Sequence, residues 1–442
     1  MKRDLINEIY KWNNDQNRRK PLILMGARQV GKSWLMFEFA KSVYPDDTVY
    51  VDLRDDEQLR EAIEASTVDA LGIVEMISTA TGRKIVPGRT LVVIDEIQEA
   101  PKALSSLKYF HEKIPNLAVM AAGSLLGIAL NRDKRKKRTD SARVSFPVGK
   151  VRFLDVPPMT FGEFLEAVGE SEKRLRLENR EWNTVSAFHS VYCDLLKKYY
   201  LVGGMPEAVS TYAQERDLNG VREVQREILK AYDLDFAKHA DGALLAKIRL
   251  LWNSIPAQLA KENKKLIYTA LKSGARARDY EVALQWLEDA GMIHQVHRVS
   301  RPGMPLKAYE DFSAFKLYAH DVGLLCAMSD IPQRIVLDGN ELYTHFKGAF
   351  TEQYVLQELT ARRLSPYYWA TDEGMSEIEF VLQTEVGAVP IEVKAETNLQ
   401  AKSLSVYRGK FNPSRCVRTS LAGYHSGEAV EDIPLYAIGN AF

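Results

Sequence analysis

At 442 residues the chain is long for a single hydrophobic core, and a norm of roughly 150 residues per domain predicts two to four domains. Its 59 basic and 59 acidic residues cancel, which excludes nucleic-acid or membrane recognition through global charge and leaves any such binding to a local patch. The three cysteines, Cys193, Cys326 and Cys416, form neither a disulfide framework nor a metal knuckle; with no signal-peptide core in residues 1–8 and no apolar stretch of membrane-spanning length, the expected setting is a reducing cytoplasm.

Residues 21–25 are a short apolar run of strand type, and residues 34–40 carry apolar positions at helical spacing. Between them Gly26, Ala27, Arg28, Gln29, Val30, Gly31, Lys32 and Ser33 fulfil every fixed position of the phosphate-binding pattern G-x-x-x-x-G-K-[ST]. Gly26 and Gly31 permit backbone conformations that a side chain would block, so successive amides can turn onto phosphate oxygens at a helix N-terminus. Lys32 would reach the β- and γ-phosphates, and Ser33 would offer its hydroxyl to Mg²⁺, which prefers oxygen ligands. The expected ATP contacts run from Gly26 through Trp34. The plainer alternative is a glycine-containing turn with an exposed lysine.

A strand-like run at 48–53 follows, then residues 90–96, an apolar run that ends in Asp95 and Glu96. This is the pattern of a buried parallel strand whose carboxyl end faces a ligand. Asp95 would hold Mg²⁺ through water and Glu96 would polarise the attacking water, making the acidic half of an ATP hydrolysis site. Taken without the glycine loop, the two acids would merely open a solvated turn. The next run, 117–122, leads to Gly123 and Ser124, where a small hydroxyl would touch the γ-phosphate or the lytic water; a Gly-Ser pair also simply ends strands. Residues 131–138 are strongly basic, which reads as a solvated loop, a nucleic-acid backbone contact or a charge lent to a neighbouring subunit's nucleotide. With a last run at 151–156, the alternation of strands and helices marks an α/β domain with a parallel sheet.

Beyond it the pattern is helical, as at 185–200 and 220–237, with a break at Gly203-Gly204-Met205-Pro206 that turns the chain between helices. Residues 279–291 form a helical stretch ending at Gly291, and 292–299 alternate like a strand before a turn near 301–304, which resembles a winged helix. Arg276 and Arg278 precede the would-be recognition helix, but Glu281, Glu288 and Asp289 place negative charge on it, so protein packing stands level with DNA binding. Residues 376–382 and 390–395 are two further strand-like runs joined around Gly387.

The glycine loop, the Val92-Val93-Ile94-Asp95-Glu96-Ile97-Gln98 run, Ala121-Ala122-Gly123-Ser124, the segments 146–150 and 158–164, and Gly203-Gly204-Met205-Pro206 together resemble one family. It is the bacterial and archaeal AAA-type ATP-binding proteins with a C-terminal domain of unknown function related to restriction-type, PD-(D/E)XK nucleases. The resemblance runs through nearly the whole chain, and it implies a P-loop AAA-type domain at 1–159, a helical lid at 160–245, a winged-helix-like domain at 246–330 and a restriction-nuclease-like α/β domain at 331–442. It further implies that Glu379, Glu392 and Glu352 would gather a divalent metal while Lys394 activates water or steadies phosphate; Glu392 and Lys394 share one strand face. Two departures stand out. Family members often have Gly-Arg where this chain has Gly149-Lys150, which leaves the transition-state arginine unassigned, with Lys150 and Arg152 as candidates. The first strand acid is usually aspartate, and Glu379 is one methylene longer.

The expected function is a Mg²⁺-dependent ATPase acting as a molecular switch. An ATP-gated metal-dependent nuclease and an ATP-bound regulator without turnover are the alternatives. The expected partners are ATP, possible DNA or other nucleic acid, and a protein client, with no membrane; oligomerisation is open because AAA-type sites often borrow a charge from a neighbour.

Overall fold

A computed structural model describes residues 1–15, 19–66, 69–123, 126–128, 149–261, 264–338, 344–371, 375–397 and 402–442. It divides into two units, one of Arg3–Pro157 with Asp289–Met292, the other of Met1–Lys2, Pro158–Glu288 and Ile293–Phe442. Among the described residues no helix is long and apolar enough to cross a membrane.

The first unit is built on a five-stranded parallel sheet of β1 (Leu22–Met25), β2 (Thr48–Asp52), β3 (Leu91–Asp95), β4 (Ala118–Ala122) and β5 (Arg152–Asp155), in the order β2-β3-β4-β1-β5. Its helices are α1 (Ile6–Asn14), α2 (Lys32–Val43), α3 (Glu57–Ala65), α4 (Ala70–Thr81) and α5 (Pro101–Lys113). Every residue of β3 and β4 is buried, which is why these strands read as unbroken apolar runs rather than alternating ones. Ile23, Val92, Ile94, Val119 and Ala121 share one core with Ile63 of α3, Ile73 and Ile77 of α4, and Leu107 and Phe110 of α5. Strand alternation puts Leu24, Val93 and Met120 on the opposite face, where α2 meets β3 and β4. Local chemistry fixes the helix starts: Asp56 accepts from the Leu59 amide, and Asp69 accepts from those of Leu71 and Gly72. Because all five strands are parallel, their carboxyl ends lie along one edge, and the register Asp52↔Asp95 brings the ends of β2 and β3 side by side. This is the P-loop α/β architecture expected from the sequence.

The second unit opens with helices, among them Phe161–Ala167, His189–Val202, Pro206–Glu215, Leu218–His239 and Gly242–Leu259. The first is started by a capping box in which Thr160 and Glu163 satisfy each other's amides. Gly204 lies against the chain before that helix: a Cβ there would stand 2.1 Å from the Met159 carbonyl oxygen. The Met159 amide donates to the Gly204 carbonyl at 2.7 Å. The Gly204 amide in turn donates to Oδ2 of Asp321 at 2.6 Å, and Tyr199 donates its hydroxyl to the Met159 carbonyl while accepting from Gln357 at 2.9 Å. The two sequence segments around Pro158 and Pro206 thus meet in one buried hydrogen-bonded knot.

The strands of this unit are β6 (Ile293–Val299), β7 (Glu310–Ala319), β8 (Tyr367–Ala370), β9 (Glu377–Thr384), β10 (Gly387–Val393), β11 (Val417–Ser420), β12 (His425–Ser426) and β13 (Glu431–Pro434). They make one mixed eight-stranded sheet in the order β12-β13-β11-β10-β9-β8-β6-β7. The expected hairpin is present as β6 antiparallel to β7, and β6 also pairs with β8 through Arg298↔Tyr368, so the hairpin extends the C-terminal sheet. The two expected C-terminal strands are β9 and β10, antiparallel through Ile391↔Phe380.

Candidate active site

The loop after β1 carries three positive φ angles, at Gly26 (133°), Gln29 (65°) and Gly31 (92°). At Gly26 a Cβ would lie 2.5 Å from the Val156 carbonyl oxygen, so no side chain fits. Gly31 is the N-cap of α2, whose first amides have no intrahelical acceptor and form the positive end of the helix dipole. Arg3, buried, donates to the carbonyls of Val30 (2.8 Å) and Pro157 (2.7 Å), tying the loop to the end of β5.

Lys32 is buried and folds back to donate to the carbonyls of Gly26 (2.9 Å) and Ala27 (2.7 Å). Burial pulls its ammonium down to about 8, against the pull of Glu96 and Asp95 and with the help of Arg28. Ser33 donates its hydroxyl to Oδ2 of Asp95 at 2.5 Å, and Tyr50 reaches the same oxygen at 3.3 Å. Oδ1 of Asp95 accepts from the Glu96 amide at 2.9 Å. Burial raises the Asp95 carboxyl above the usual range and Ser33 and that amide only partly offset it, so the site favours an added cation.

Glu96 has left-handed backbone (φ 48°, ψ 45°), uncommon for a residue with a side chain and a frequent mark of functional positions. Its carboxylate is engaged at both oxygens, by Arg54 at Oε1 and Gln98 Nε2 at Oε2. Burial pushes the Glu96 carboxyl up, but Gln98, Arg54, Lys32 and Arg28 together hold it below the usual range. Among the described residues Nε of Arg54 and Oε1 of Gln98 are buried without hydrogen-bond partners.

Lys32, Ser33, Asp95 and Glu96 are therefore gathered at one edge of the sheet, with Arg3, Tyr50, Arg54 and Gln98 as members that sequence reasoning missed. A cradle that only glycine fits, a buried ammonium hydrogen-bonded to two backbone carbonyls, and a hydroxyl–carboxylate pair suit a Mg²⁺-bound nucleotide triphosphate. Trp34 begins the exposed side of α2. Ser124 and the basic run at 131–138 lie outside the described residues. Lys150 pairs with Glu112 at 3.2 Å and Arg152 with Glu8 at 3.6 Å. Arg152 stands opposite Leu22, at the amino end of β1, three residues or about 10 Å from the loop end of the strand, so these two cations are not gathered with the site.

In the second unit Glu352, on the Thr344–Ala361 helix, faces Lys264, Lys316 (3.6 Å) and the Tyr318 hydroxyl (3.0 Å). Glu379 accepts from the Val393 amide at 2.9 Å and is pushed up to about 7 by burial and by Glu352, against Lys316. Glu392 pairs with Lys394 at 2.6 Å and accepts from the Leu404 amide at 3.1 Å, in the first turn of the Lys402–Phe411 helix. Among the described residues no group of three or more His, Cys, Asp or Glu side chains is placed to hold a metal ion. The residues the sequence nominated here are neighbours on β9, β10 and one helix, yet their charges are met by lysines and amides of the same chain.

Residues 18–165 match a protein-family model described as AAA domain. Residues 193–334 and 347–438 match two described as domains of unknown function (DUF8612 and DUF4143). No curated protein matches the chain. Among solved structures it is similar to a Walker-type ATPase of Pyrococcus abyssi, at 14% identity over 74% of this chain and 95% of that one, with a TM-score of 0.44. It is also similar to Drosophila ORC bound to DNA (14% identity, 77% and 94% covered, TM-score 0.24) and to Drosophila ORC bound to AT-rich DNA and Cdc6 (14%, 76% and 93%, TM-score 0.23). The family match and the glycine loop on a parallel sheet make this region an AAA-type ATP-binding domain.

Proposed function

We infer that the chain is a Mg²⁺-dependent ATPase whose hydrolysis cycle works as a molecular switch. The observation that carries this reading is the Ser33–Asp95 hydrogen bond beside Lys32 and Glu96, which joins a phosphate-binding loop to an acidic strand end. Bound Mg-ATP supplies the phosphoryl group that is transferred to water. In this reading the loop amides and Lys32 bind and orient phosphate, Ser33 and Asp95 hold the metal directly and through water, and Glu96 draws a proton from the attacking water. Ser124 is assigned to the γ-phosphate or the lytic water by its position after the run that forms β4. The four-part organisation, with domain limits at 159, 245 and 330, belongs to the same reading, as does a reducing cytoplasm for the free thiols of Cys193, Cys326 and Cys416. Partners compatible with it are nucleic acid, a protein client and a second copy of the chain.

For the C-terminal sheet we favour packing or binding over ATP-gated cleavage, because Glu352 is already neutralised by Lys264 and Lys316. The winged-helix reading of the β6–β7 region stands on the same footing, since its hairpin is taken up in that sheet. The test is Mg²⁺-dependent ATP hydrolysis by wild type, Lys32→Ala and Glu96→Gln, with and without duplex or single-stranded DNA. Lys32→Ala should lose binding and turnover, and Glu96→Gln should keep ATP affinity and lose turnover. Wild type that binds ATP without turnover would make the chain an ATP-bound regulator instead. Metal-dependent DNA cleavage lost in Glu392→Ala would restore the nuclease.

A further inference from the structure

The sequence leaves the cation that would meet the terminal phosphate unassigned, and neither Lys150 nor Arg152 is at the site. Arg54 is. It stands two residues past the end of β2, in a turn fixed by its own amide donating to Oδ1 of Asp52 at 2.8 Å. Arg60 of α3 holds the same turn from the other side, donating to the carbonyls of Leu53 (3.2 Å) and Arg54 (3.1 Å). From this anchored backbone the guanidinium crosses to Glu96, the residue read as the acceptor of the water proton.

Three features of that contact bear on its role. Both carboxylate oxygens of Glu96 are taken, one by Arg54 and one by Gln98, so the group is held rather than free to turn towards a water. The arginine side chain is 37% exposed against 15% for the glutamate, so the arginine end of the pair faces solvent and can change partner more readily than a fully buried pair. The guanidinium is not used up by Glu96: among the described residues its Nε has no hydrogen-bond partner, and a planar fork with spare donors matches a phosphate better than a single carboxylate oxygen.

We propose that Arg54 distinguishes a nucleoside triphosphate from a diphosphate, neutralising Glu96 when no terminal phosphate is present and exchanging that carboxylate for the γ-phosphate when one arrives. The exchange releases Oε1 of Glu96 at the moment a substrate is bound, with Gln98 still orienting Oε2, and supplies in cis a positive charge that other nucleotide hydrolases take from a separate subunit or activator. Arg54 acts on the water through Glu96 and is a positioning residue in that respect. This rests on the ATP-binding reading of the loop.

The test is calorimetric titration of the full chain with Mg²⁺ and either the non-hydrolysable β,γ-imido analogue of ATP or ADP, for wild type, Arg54→Ala, Arg54→Lys and Lys32→Ala. Arg54→Ala removes a partner of the terminal phosphate and weakens the compensation of the Glu96 charge beside it, so the triphosphate analogue should bind at least about tenfold more weakly, roughly 1.4 kcal/mol, while ADP affinity stays within about twofold. Arg54→Lys keeps the charge but not the fork and should fall between. A merely structural arginine would weaken both nucleotides alike, and that result, or no loss for either, overturns the proposal. Lys32→Ala should weaken both nucleotides. If wild type binds neither, the ATP reading falls together with the proposal; if wild type binds both and Arg54→Ala fails to separate them, only the Arg54 proposal falls.

Discussion

Ser33 donates its hydroxyl to Oδ2 of Asp95 at 2.5 Å, linking the first turn of α2 to the last residue of β3. Burial holds the Asp95 carboxyl above its ordinary range, the expected condition of an acid that gains its stabilisation from a metal ion. Asparagine keeps an acceptor for Ser33 while removing the charge. Asp95→Asn should therefore fold normally and lose most of the gain in ATP affinity that Mg²⁺ confers, about tenfold or more. Titrations with Mg²⁺ and with EDTA, together with the melting temperature, check both halves of this expectation.

The parts of this site that are legible in the sequence are those imposed by local backbone. Gly26 and Gly31 are required where they stand because the positive φ angles and the contact at Val156 exclude other residues. Asp95 and Glu96 are legible because a strand buried on both faces announces its end by the first charge. Arg54 and Gln98 are not: one becomes a partner of Glu96 only through the register of β2 on β3, and the other through the turn that Glu96 begins. The C-terminal sheet repeats the lesson. The period of two places Glu392 and Lys394 on one face, but nothing local in Lys264 or Lys316 says that each will face Glu352. Likewise, β6 reads as half of an independent hairpin because its pairing with β8 depends on residues far along the chain.

Gly204 has no room for a side chain, since a Cβ would lie 2.1 Å from the carbonyl oxygen and 2.7 Å from the amide nitrogen of Met159, both backbone atoms. Gly204→Ala must push those stretches of chain apart and break the Met159–Gly204 and Gly204–Asp321 hydrogen bonds, at a cost of about 3 kcal/mol or more. Gly242 opens the Gly242–Leu259 helix, and nothing lies within 4 Å of the point where its Cβ would stand. Gly242→Ala should be neutral or stabilising by up to ~1 kcal/mol. Urea midpoints of the two variants should move in clearly different ways.

Asp321 is fully buried and accepts from the amides of Gly204 (2.6 Å) and Leu324 (2.8 Å). Burial nonetheless pushes its carboxyl up to about 6, those amides offsetting only part of the shift. An unfolded aspartate titrates near about 3.9, so between about pH 4 and pH 6 the folded chain holds a proton that the unfolded chain has released. The stabilisation from that proton is complete below about pH 4 and is lost as the pH rises through about 6. At about 1.4 kcal/mol per unit, the difference reaches roughly 3 kcal/mol. Asp321→Asn, whatever its overall stability, should lack this slope; from pH 4 to 7 the melting temperature of wild type should fall relative to that of the variant.

Lys316 is buried between Glu352 (3.6 Å) and Glu377 (2.5 Å). Burial works against its charge, but Tyr318, Glu352 and Glu377 outweigh that and hold the ammonium well above its ordinary range. Removing one partner of such a cluster strands the others as like charges in a poor solvent, which costs about 3–5 kcal/mol, whereas removing both partners costs far less. Lys316→Met should therefore lower the unfolding midpoint sharply, and the added change Glu352→Gln should recover much of the loss, a coupling that a double-mutant cycle measures directly. Divalent cations discriminate further. Replacing EDTA by millimolar Mn²⁺ should raise the melting temperature of Lys316→Met more than that of wild type, because in the variant Glu352 keeps Lys264 but Glu377 and Glu352 lose the lysine they share. Equal Mn²⁺ responses in wild type and variant would mean that the lysine does not stand where a metal would.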